Sequence, residues 1–363
     1  MSHTDVSSII DKLVRPEIKA MKAYHVPEST GLLKLDAMEN PYQWPEAMQQ
    51  EWLELLKSVE LNRYPDPAAK QLCEQLAEAM KVPQGQGLLL GNGSDEIIQI
   101  LAMALAKPGA RLMAFDPGFV MYKLIAELVG MEYVGVPLNP EDFSLDLEQA
   151  LIAIRSYQPE LVFIAYPNNP TGNAFDPMII DAIIEEAEGL VIIDEAYQPF
   201  AEDSFMSHLG RNNNVMVMRT VSKLGLAGLR LGFLAGAPEW IEELNKVRLP
   251  YNVNVLTQAS ATFALKHVDV FDQQAAEIRL QRHFMQQSLE LINGLKVFPS
   301  RANFILFKVP ADRADTVFTE LKQAGILIKN LNPVGGVLSD CLRVTVGTAD
   351  QNEQFLEALK NIL

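Results

Sequence analysis

The 363-residue sequence predicts an α/β protein with a mainly parallel sheet and a second, smaller α+β domain. Two patterns indicate this fold. Helical patterns alternate with short strands that are apolar at every position, and such strands are covered on both faces, as in a parallel sheet. After Asn254 the pattern changes to a long helix followed by a new series of strands and helices. The length also suits one large domain with a smaller partner.

The elements follow in chain order, after an irregular segment over 1–45 that contains four prolines. Helical periodicity predicts helices over 46–59, 67–81, 94–106, 269–293, 312–324 and 350–361. Apolar runs predict strands over 88–90, 111–115, 161–165, 190–193, 215–218, 231–235, 304–309, 326–329 and 342–346. We therefore expect an N-terminal arm over 1–45 that completes the small domain, a large domain over 46–270 and a small domain over 271–363.

Composition and charge argue against several classes of protein. Thirty lysines and arginines face 46 aspartates and glutamates, so nucleic acids and anionic membranes would be repelled by the average surface. The two cysteines, Cys73 and Cys341, form no disulfide or metal-binding pattern. The sequence shows no signal-peptide pattern and no apolar run near the roughly 20 residues that cross a bilayer. We therefore expect a cytoplasmic protein without metal that acts on small molecules and binds neither nucleic acid nor membrane.

Four polar loops follow predicted strands, at the edge where an open α/β sheet binds its ligands. The first, over 91–96, places Ser94 and Asp95 at the start of a helix, where backbone N–H groups favour a phosphate. The same residues also suit a tight turn with a helix N-cap. The second, over 166–172, carries Asn169 between two prolines, although such pairs are also common in surface turns.

The other two loops carry charged groups directly after apolar strands. Asp194 follows four apolar residues, so its carboxylate needs a partner or caps the next helix, and Tyr197 lies three residues further on. Lys223, flanked by Ser222 and Arg230, precedes glycine-rich apolar sequence. An amine in apolar surroundings loses its proton readily and can form a Schiff base, whereas a lone lysine after a strand is usually solvated.

Together these loops supply the groups that pyridoxal phosphate requires. A lysine holds the aldehyde of the cofactor as an imine, and a buried carboxylate keeps the pyridine nitrogen protonated, so that the ring accepts electrons. Tyrosine and asparagine side chains hold the phenolic oxygen, and a helix N-terminus with an arginine holds the phosphate. We therefore predict an enzyme that uses pyridoxal 5'-phosphate.

Several motifs also occur in the order found in a known family. The runs Asn-Pro-Thr-Gly at 169–172, Asp-Glu-Ala-Tyr at 194–197 and Ser-Lys at 222–223, followed by Gly-Leu-Arg-x-Gly, resemble the fold-type I, class-II aminotransferases. The resemblance extends from about residue 30 to the end. Segments 167–172, 226–230, 62–67 and 341–348 are most similar to the histidinol-phosphate aminotransferases. The resemblance implies a mainly parallel seven-stranded sheet in the large domain.

The resemblance implies a role for each matching residue. Lys223 would form the imine and carry the proton, and Asp194 would pair with the pyridine nitrogen. Asn169 and Tyr197 would hold the phenolic oxygen, and Phe119 would stack on the ring. The phosphate would be bound by Ser94, Asp95, Thr220, Ser222 and Arg230.

Further residues are implied at the substrate and at a subunit boundary. Arg343 would bind the anionic group of either substrate, a phosphate or an α-carboxylate, beside Asn169. Lys329 stands where relatives carry an arginine and would face the same group as a point charge. Tyr24 would cover the pocket. Tyr64 would reach the phosphate in the neighbouring subunit, which implies a homodimer with shared active sites.

The implied activity is a ping-pong transamination in histidine biosynthesis. The amino group would pass between histidinol phosphate and 2-oxoglutarate, giving imidazole-acetol phosphate and glutamate. An aminotransferase for aromatic or other amino acids is an alternative on the same scaffold, and so is a decarboxylase of the phosphothreonine type. A cofactor-holding module of a DNA-binding regulator is a third, but the sequence has no basic helix-turn-helix segment and the wrong net charge.

Overall fold

A computed structural model describes residues 5–21, 23 and 27–363. The helices are α1 (Val6–Leu13), α2 (Pro16–Ala20), α3 (Glu46–Leu56), α4 (Lys70–Ala79), α5 (Ser94–Leu105), α6 (Val120–Val129), α7 (Leu147–Tyr157), α8 (Pro177–Glu186), α9 (Pro238–Asn245), α10 (Val255–Ala264), α11 (Val268–Glu290), α12 (Ala314–Gln323) and α13 (Ala349–Ile362). The strands are β1 (Leu33–Lys34), β2 (Gly87–Gly91), β3 (Arg111–Asp116), β4 (Glu132–Pro137), β5 (Leu161–Ala165), β6 (Leu190–Asp194), β7 (Val215–Thr220), β8 (Gly232–Gly236), β9 (Lys296–Val297), β10 (Phe304–Lys308), β11 (Ile326–Leu327), β12 (Lys329–Asn330) and β13 (Cys341–Thr345). Among these described residues, no helix combines the length and apolar character needed to span a bilayer.

The large sheet confirms the predicted α/β architecture. Its seven strands run in the order β2-β8-β7-β6-β5-β3-β4 and are parallel except for β8, which is antiparallel to both neighbours. Alternate residues of β6 enter two different cores: Leu190 and Ile192 pack in one, and Val191 and Ile193 in the other. The continuous apolar runs in the sequence therefore mark strands that are covered on both faces.

A smaller sheet forms a second layered unit near the C-terminus. Its strands are antiparallel in the order β12-β13-β10-β9, and β1 pairs with β11 in a separate parallel ladder. The core beside these strands includes Leu35 from the arm and Tyr197 and Phe200 from the loop after β6. The arm therefore packs with the C-terminal elements, while the domain boundaries at residues 45 and 270 stay predictions.

Some elements differ from the prediction for identifiable reasons. The arm is not wholly irregular: Pro16 occupies the first turn of α2, where proline starts a helix instead of interrupting one. The strand predicted over 326–329 is two strands, β11 and β12, which pair with different partners on either side of Ile328. Strand β4 was not predicted because it lies at the sheet edge and alternates buried with less buried residues. The sequence analysis also predicted no helix at α10 (Val255–Ala264).

A buried ion pair fastens the ends of β6 and β7 together. Glu195, directly after β6, is 1% exposed, and its Oε2 accepts a hydrogen bond from Arg219 Nε at 2.9 Å. The other carboxylate oxygen accepts from the backbone N–H of Phe205, and Arg219 Nη2 also donates to Ser204 Oγ at 2.7 Å. Both charged groups are buried, so the free energy lost on removing each from water is offset only by its interaction with the other and with nearby hydrogen-bonding groups.

Removing one partner of this pair should destabilise the fold strongly. We expect Glu195→Gln to lower the free energy of unfolding by about 3–5 kcal/mol, because the Arg219 charge stays buried without its counter-ion. Glu186→Gln, which removes the acid of the more exposed Arg155–Glu186 pair, should cost under about 1 kcal/mol. Urea unfolding followed by circular dichroism measures both. Equal losses in the two variants would contradict the role of the buried pair.

Candidate functional site

The carboxyl ends of the central strands meet at one edge of the large sheet. Ala165 at the end of β5 pairs with Asp194 at the end of β6, which in turn pairs with Met218 in β7. A cavity of about 380 Å³ opens at this edge. Predicted site residues line it: Ser94, Asp95, Phe119, Asn169, Asp194, Tyr197, Thr220, Ser222, Lys223 and Arg230.

Asp194 provides a buried carboxylate to the cavity. Its side chain is almost fully enclosed, and Oδ2 accepts a hydrogen bond from Tyr122 OH at 2.6 Å. Oδ1 accepts from the backbone N–H of Ala196 at 3.0 Å. Burial raises the pKa of Asp194 to about 6, and the Tyr122 hydrogen bond opposes that rise. Ionised Asp194 therefore has a strong preference for a cationic or N–H partner from the cavity.

Tyr122 is a site residue that the sequence analysis missed. It lies in the first turn of α6, whose N-cap is Phe119, and the two rings meet edge to face with centroids 5.5 Å apart. Its ring stacks on Phe163 with centroids 4.4 Å apart, which places the hydroxyl at Asp194. The sequence signal that could have identified Tyr122 was its position three residues after Phe119, a predicted site residue.

Lys223 provides the amine. It lies in an irregular turn over Ser222–Leu226 that begins two residues after the end of β7 and in which Gly225 has φ = +124°. Its Nζ donates to the carbonyl of Ala37 at 3.0 Å. Burial, with a contribution from the Arg343 charge, lowers the pKa of Lys223 to about 8. On the order of a tenth of this amine is therefore unprotonated near neutral pH, far more than for a solvated lysine.

A hydrogen-bonded chain connects the cavity to the small sheet. Asn169 Nδ2 donates to Tyr197 OH at 2.9 Å, and Arg343 Nη1 donates to Asn169 Oδ1 at 2.5 Å. Arg343 Nη2 donates to the carbonyl of Asp36 at 3.1 Å. Burial raises the pKa of Tyr197, so its phenol stays protonated and can serve as a donor.

The start of α5 forms a cradle for an anion. Gly93 precedes the helix with φ = +85°, a conformation that favours glycine, and a Cβ there would displace the Arg230 guanidinium, whose Nη2 would lie 2.6 Å away. That guanidinium lies 3.8 Å from the Asp95 carboxylate. Thr220 Oγ1 lies 2.9 Å from Ser222 Oγ. Backbone N–H groups, hydroxyls and an arginine thus converge as a phosphate group requires.

Not every predicted site residue lies at this cavity. Among the residues that the structure describes, the lining does not include Tyr64, Lys329 or Arg343. Arg343 is connected to the cavity by its hydrogen bond to Asn169. Lys329, on the neighbouring strand β12, pairs in register with Arg343. Tyr64 is 81% exposed and stacks on Tyr251. Tyr24, predicted to cover the pocket, lies outside the described residues.

The segment over 36–40 is a second feature that the sequence analysis did not identify. Its residues Ala37, Met38 and Glu39 line the cavity. Met38 adopts a left-handed conformation with φ = +53°, which its sequence does not indicate. Only the long-range contacts of this segment bring it to the site.

The residues of this cavity fit pyridoxal phosphate. The cradle at α5 suits the phosphate, and the Asp194 carboxylate, desolvated and available to an N–H or cationic partner, suits the pyridine nitrogen. Asn169 and Tyr197 form a hydrogen-bonded pair suited to a phenolic oxygen. Lys223, with its lowered pKa, is the amine that an aldehyde needs.

Known proteins are similar to this chain in sequence. A family model described as "Aminotransferase class I and II" matches residues 30–359. Histidinol-phosphate aminotransferase 2 of Cupriavidus pinatubonensis is 54% identical, covering 97% of this chain and 96% of that protein. Histidinol-phosphate aminotransferase of Chromobacterium violaceum is 52% identical, covering 97% and 98%.

Solved structures show the same fold. The histidinol-phosphate aminotransferase of Sinorhizobium meliloti in complex with pyridoxal-5'-phosphate has a TM-score of 0.85 at 22% identity, covering 96% of each chain. That of Clostridium acetobutylicum has a TM-score of 0.83 at 24% identity, covering 91% of this chain and 99% of that one. The chain therefore belongs to the aminotransferase class I and II family.

Proposed function

We propose that this chain is a pyridoxal-phosphate-dependent aminotransferase that exchanges the amino group between histidinol phosphate and 2-oxoglutarate. The observation that carries the proposal is the meeting of a desolvated amine, Lys223, and a desolvated carboxylate, Asp194, in one cavity with a phosphate cradle. The substrate is supported by relatives that are about half identical over nearly the full length and are named histidinol-phosphate aminotransferases.

The residues of the cavity have distinct roles toward the cofactor. Asp194 would hold the pyridine nitrogen, Asn169 and Tyr197 the phenolic oxygen, and Lys223 the aldehyde carbon. When bound, pyridoxal phosphate supplies an electron-accepting ring that makes the Cα–H bond of an attached amine labile. Phe119 would cover the ring. The phosphate would be held by backbone N–H groups at Ser94 and Asp95 and by the side chains of Ser94, Thr220, Ser222 and Arg230.

Lys223 would also move the proton. With its pKa near 8, the amine takes up the Cα proton of the substrate and can return it without a large energetic penalty. The Ala37 carbonyl, 3.0 Å from Nζ, holds the amine in place as a hydrogen-bond acceptor.

Arg343 would bind the anionic group of each substrate in turn. Its planar guanidinium matches both a phosphate and a carboxylate. Asn169 orients it from the cavity side, and the Asp36 carbonyl holds it from the other. Lys329, across the ladder from Arg343, adds a second positive charge. Tyr24 would cover the same pocket.

A cytoplasmic location stays a prediction.

The enzyme would act as a homodimer with shared active sites. Tyr64 is 81% exposed although it is aromatic, and its ring stacks on Tyr251 at 4.6 Å, which fixes its direction. Its exposed hydroxyl could donate to a phosphate in a neighbouring subunit.

The activity is tested by glutamate formation from histidinol phosphate and 2-oxoglutarate. We expect the wild-type enzyme to form glutamate faster with histidinol phosphate than with a panel of aromatic and aliphatic amino donors. Lys223→Ala should abolish turnover and the near-visible absorbance of the bound cofactor together, whereas Lys246→Ala, at an exposed lysine paired with Glu243, should change neither. Preferred turnover of an aromatic donor, or an active Lys223→Ala variant, would contradict the proposal.

The buried carboxylate should reduce the stability of the cofactor-free protein. Because the pKa of Asp194 is raised in the fold, the native state binds more protons than the unfolded state between about pH 4 and 6, so stability falls as the pH rises through that range. We expect Asp194→Asn to stabilise the cofactor-free protein by about 1–3 kcal/mol at pH 8, with a smaller gain at pH 5, and to impair catalysis.

Urea unfolding at the two pH values measures this effect. Asp312→Asn, at an exposed position, serves as the control and should show no such gain. A destabilised Asp194→Asn variant at pH 8 would show that burial of the charge costs nothing.

Shared active sites predict complementation between two defective variants. Lys223→Ala and Tyr64→Ala should each have little activity at limiting pyridoxal phosphate. When the two chains are co-expressed and heterodimers are isolated, one site receives an intact Lys223 and an intact Tyr64, so part of the activity should return. If Tyr64 served its own subunit, each heterodimer site would lack one group and no activity would return.

A further inference from the structure

Glu39 is the one carboxylate among the described lining residues that the proposed function leaves without a role. Asp95 belongs to the phosphate cradle beside Arg230, and Asp194 belongs to the pyridine nitrogen. Glu39 lines the same cavity, and its Oε2 accepts from Lys34 Nζ at 2.7 Å. Its side chain is about half exposed, so it lies toward the open side of the cavity.

The 36–40 segment arranges three charged groups in order. Its first carbonyl accepts from Arg343, its second accepts from Lys223, and its fourth residue is Glu39. The arginine and the amine thus contact successive carbonyls of one short segment, and after the turn at Met38 the same segment brings the Glu39 carboxylate to the cavity.

Contacts from β13, from the residue before β10 and from the turn after β7 hold the 36–40 segment in place. The Met38 N–H donates to Thr345 Oγ1 at 3.0 Å, and the Met38 carbonyl accepts from Asn303 Nδ2 at 3.0 Å. On the far side of Glu39, Asn40 Nδ2 donates to the carbonyl of Leu224 at 3.0 Å. The backbone on both sides of Glu39 is therefore held, and its carboxylate has a defined place at the cavity.

Histidinol phosphate carries three groups in the matching order: a phosphate, an amine-bearing carbon and an imidazole. If the phosphate lies at Arg343 and the amine at Lys223, the imidazole extends toward Glu39. We propose that Glu39 is a specificity-determining residue whose carboxylate accepts a hydrogen bond from the imidazole N–H of the substrate. The inference rests on the proposed function and adds to it the group that recognises the side chain.

The second substrate makes the inference testable, because glutamate brings a carboxylate to the place that the imidazole occupies. A bare Glu39 would repel it. The ammonium of Lys34, paired with Glu39, offsets part of that repulsion. The same side chain therefore favours one substrate and disfavours the other, which a purely structural residue does not do.

The test is a pair of half-reactions on the holoenzyme, in which single-turnover absorbance changes give the dissociation constant of each substrate. In Glu39→Gln, we expect the dissociation constant of histidinol phosphate to rise about tenfold, as for a lost charge-assisted hydrogen bond. That of glutamate should fall by roughly threefold as an exposed repulsion is relieved. Equal shifts for both substrates, or no shift, would overturn the inference.

Lys34→Met is the matched variant, because it keeps the carboxylate and removes its neutralising partner. We expect the ratio of the two dissociation constants to move in the direction opposite to that in Glu39→Gln. An unchanged ratio, or a shift in the same direction, would also overturn the inference. If the wild-type holoenzyme does not react with histidinol phosphate, the proposed function itself is refuted. That outcome is distinct from a failure of the inference about Glu39, which the variants test.

Discussion

The site depends on the burial of two groups that water would normally keep charged. Asp194 and Lys223 lie in one cavity, where desolvation raises the pKa of the acid to about 6 and lowers the pKa of the amine to about 8. Fixed hydrogen bonds set their directions: Tyr122 OH and the Ala196 N–H donate to the carboxylate, and the amine donates to the Ala37 carbonyl. Groups whose pKa values are shifted in this way cluster at functional sites, which is why we propose that these two act on the cofactor.

The site exists only where the two sheets meet. The large sheet supplies the acid, the amine and the phosphate cradle from the ends of its strands. The small sheet supplies Arg343, which contacts the cavity through Asn169 and holds the 36–40 segment through the Asp36 carbonyl. A substrate that binds at Arg343 therefore contacts a group connected to both sheets, so its binding and the position of the cavity wall are coupled.

The sequence was sufficient for features that local patterns encode. Fully apolar strands predicted the parallel sheet, and polar residues directly after them predicted where Asp194 and Lys223 lie. Features that depend on distant contacts were not predictable. Nothing local places Met38 in a left-handed conformation, because Thr345 and Asn303 hold it there. The edge strand β4 lacks the continuous apolar run that marks a covered strand.

Borohydride reduction of the holoenzyme, followed by peptide mass mapping, tests the central claim most directly. Reduction makes permanent any covalent bond between a lysine amine and the aldehyde of the cofactor. Because Lys223 is a partly buried amine that lines this cavity, with its pKa lowered to about 8, we expect its peptide to carry the pyridoxyl phosphate group. An unmodified Lys223 peptide, with the label on another lysine or on none, would contradict the account.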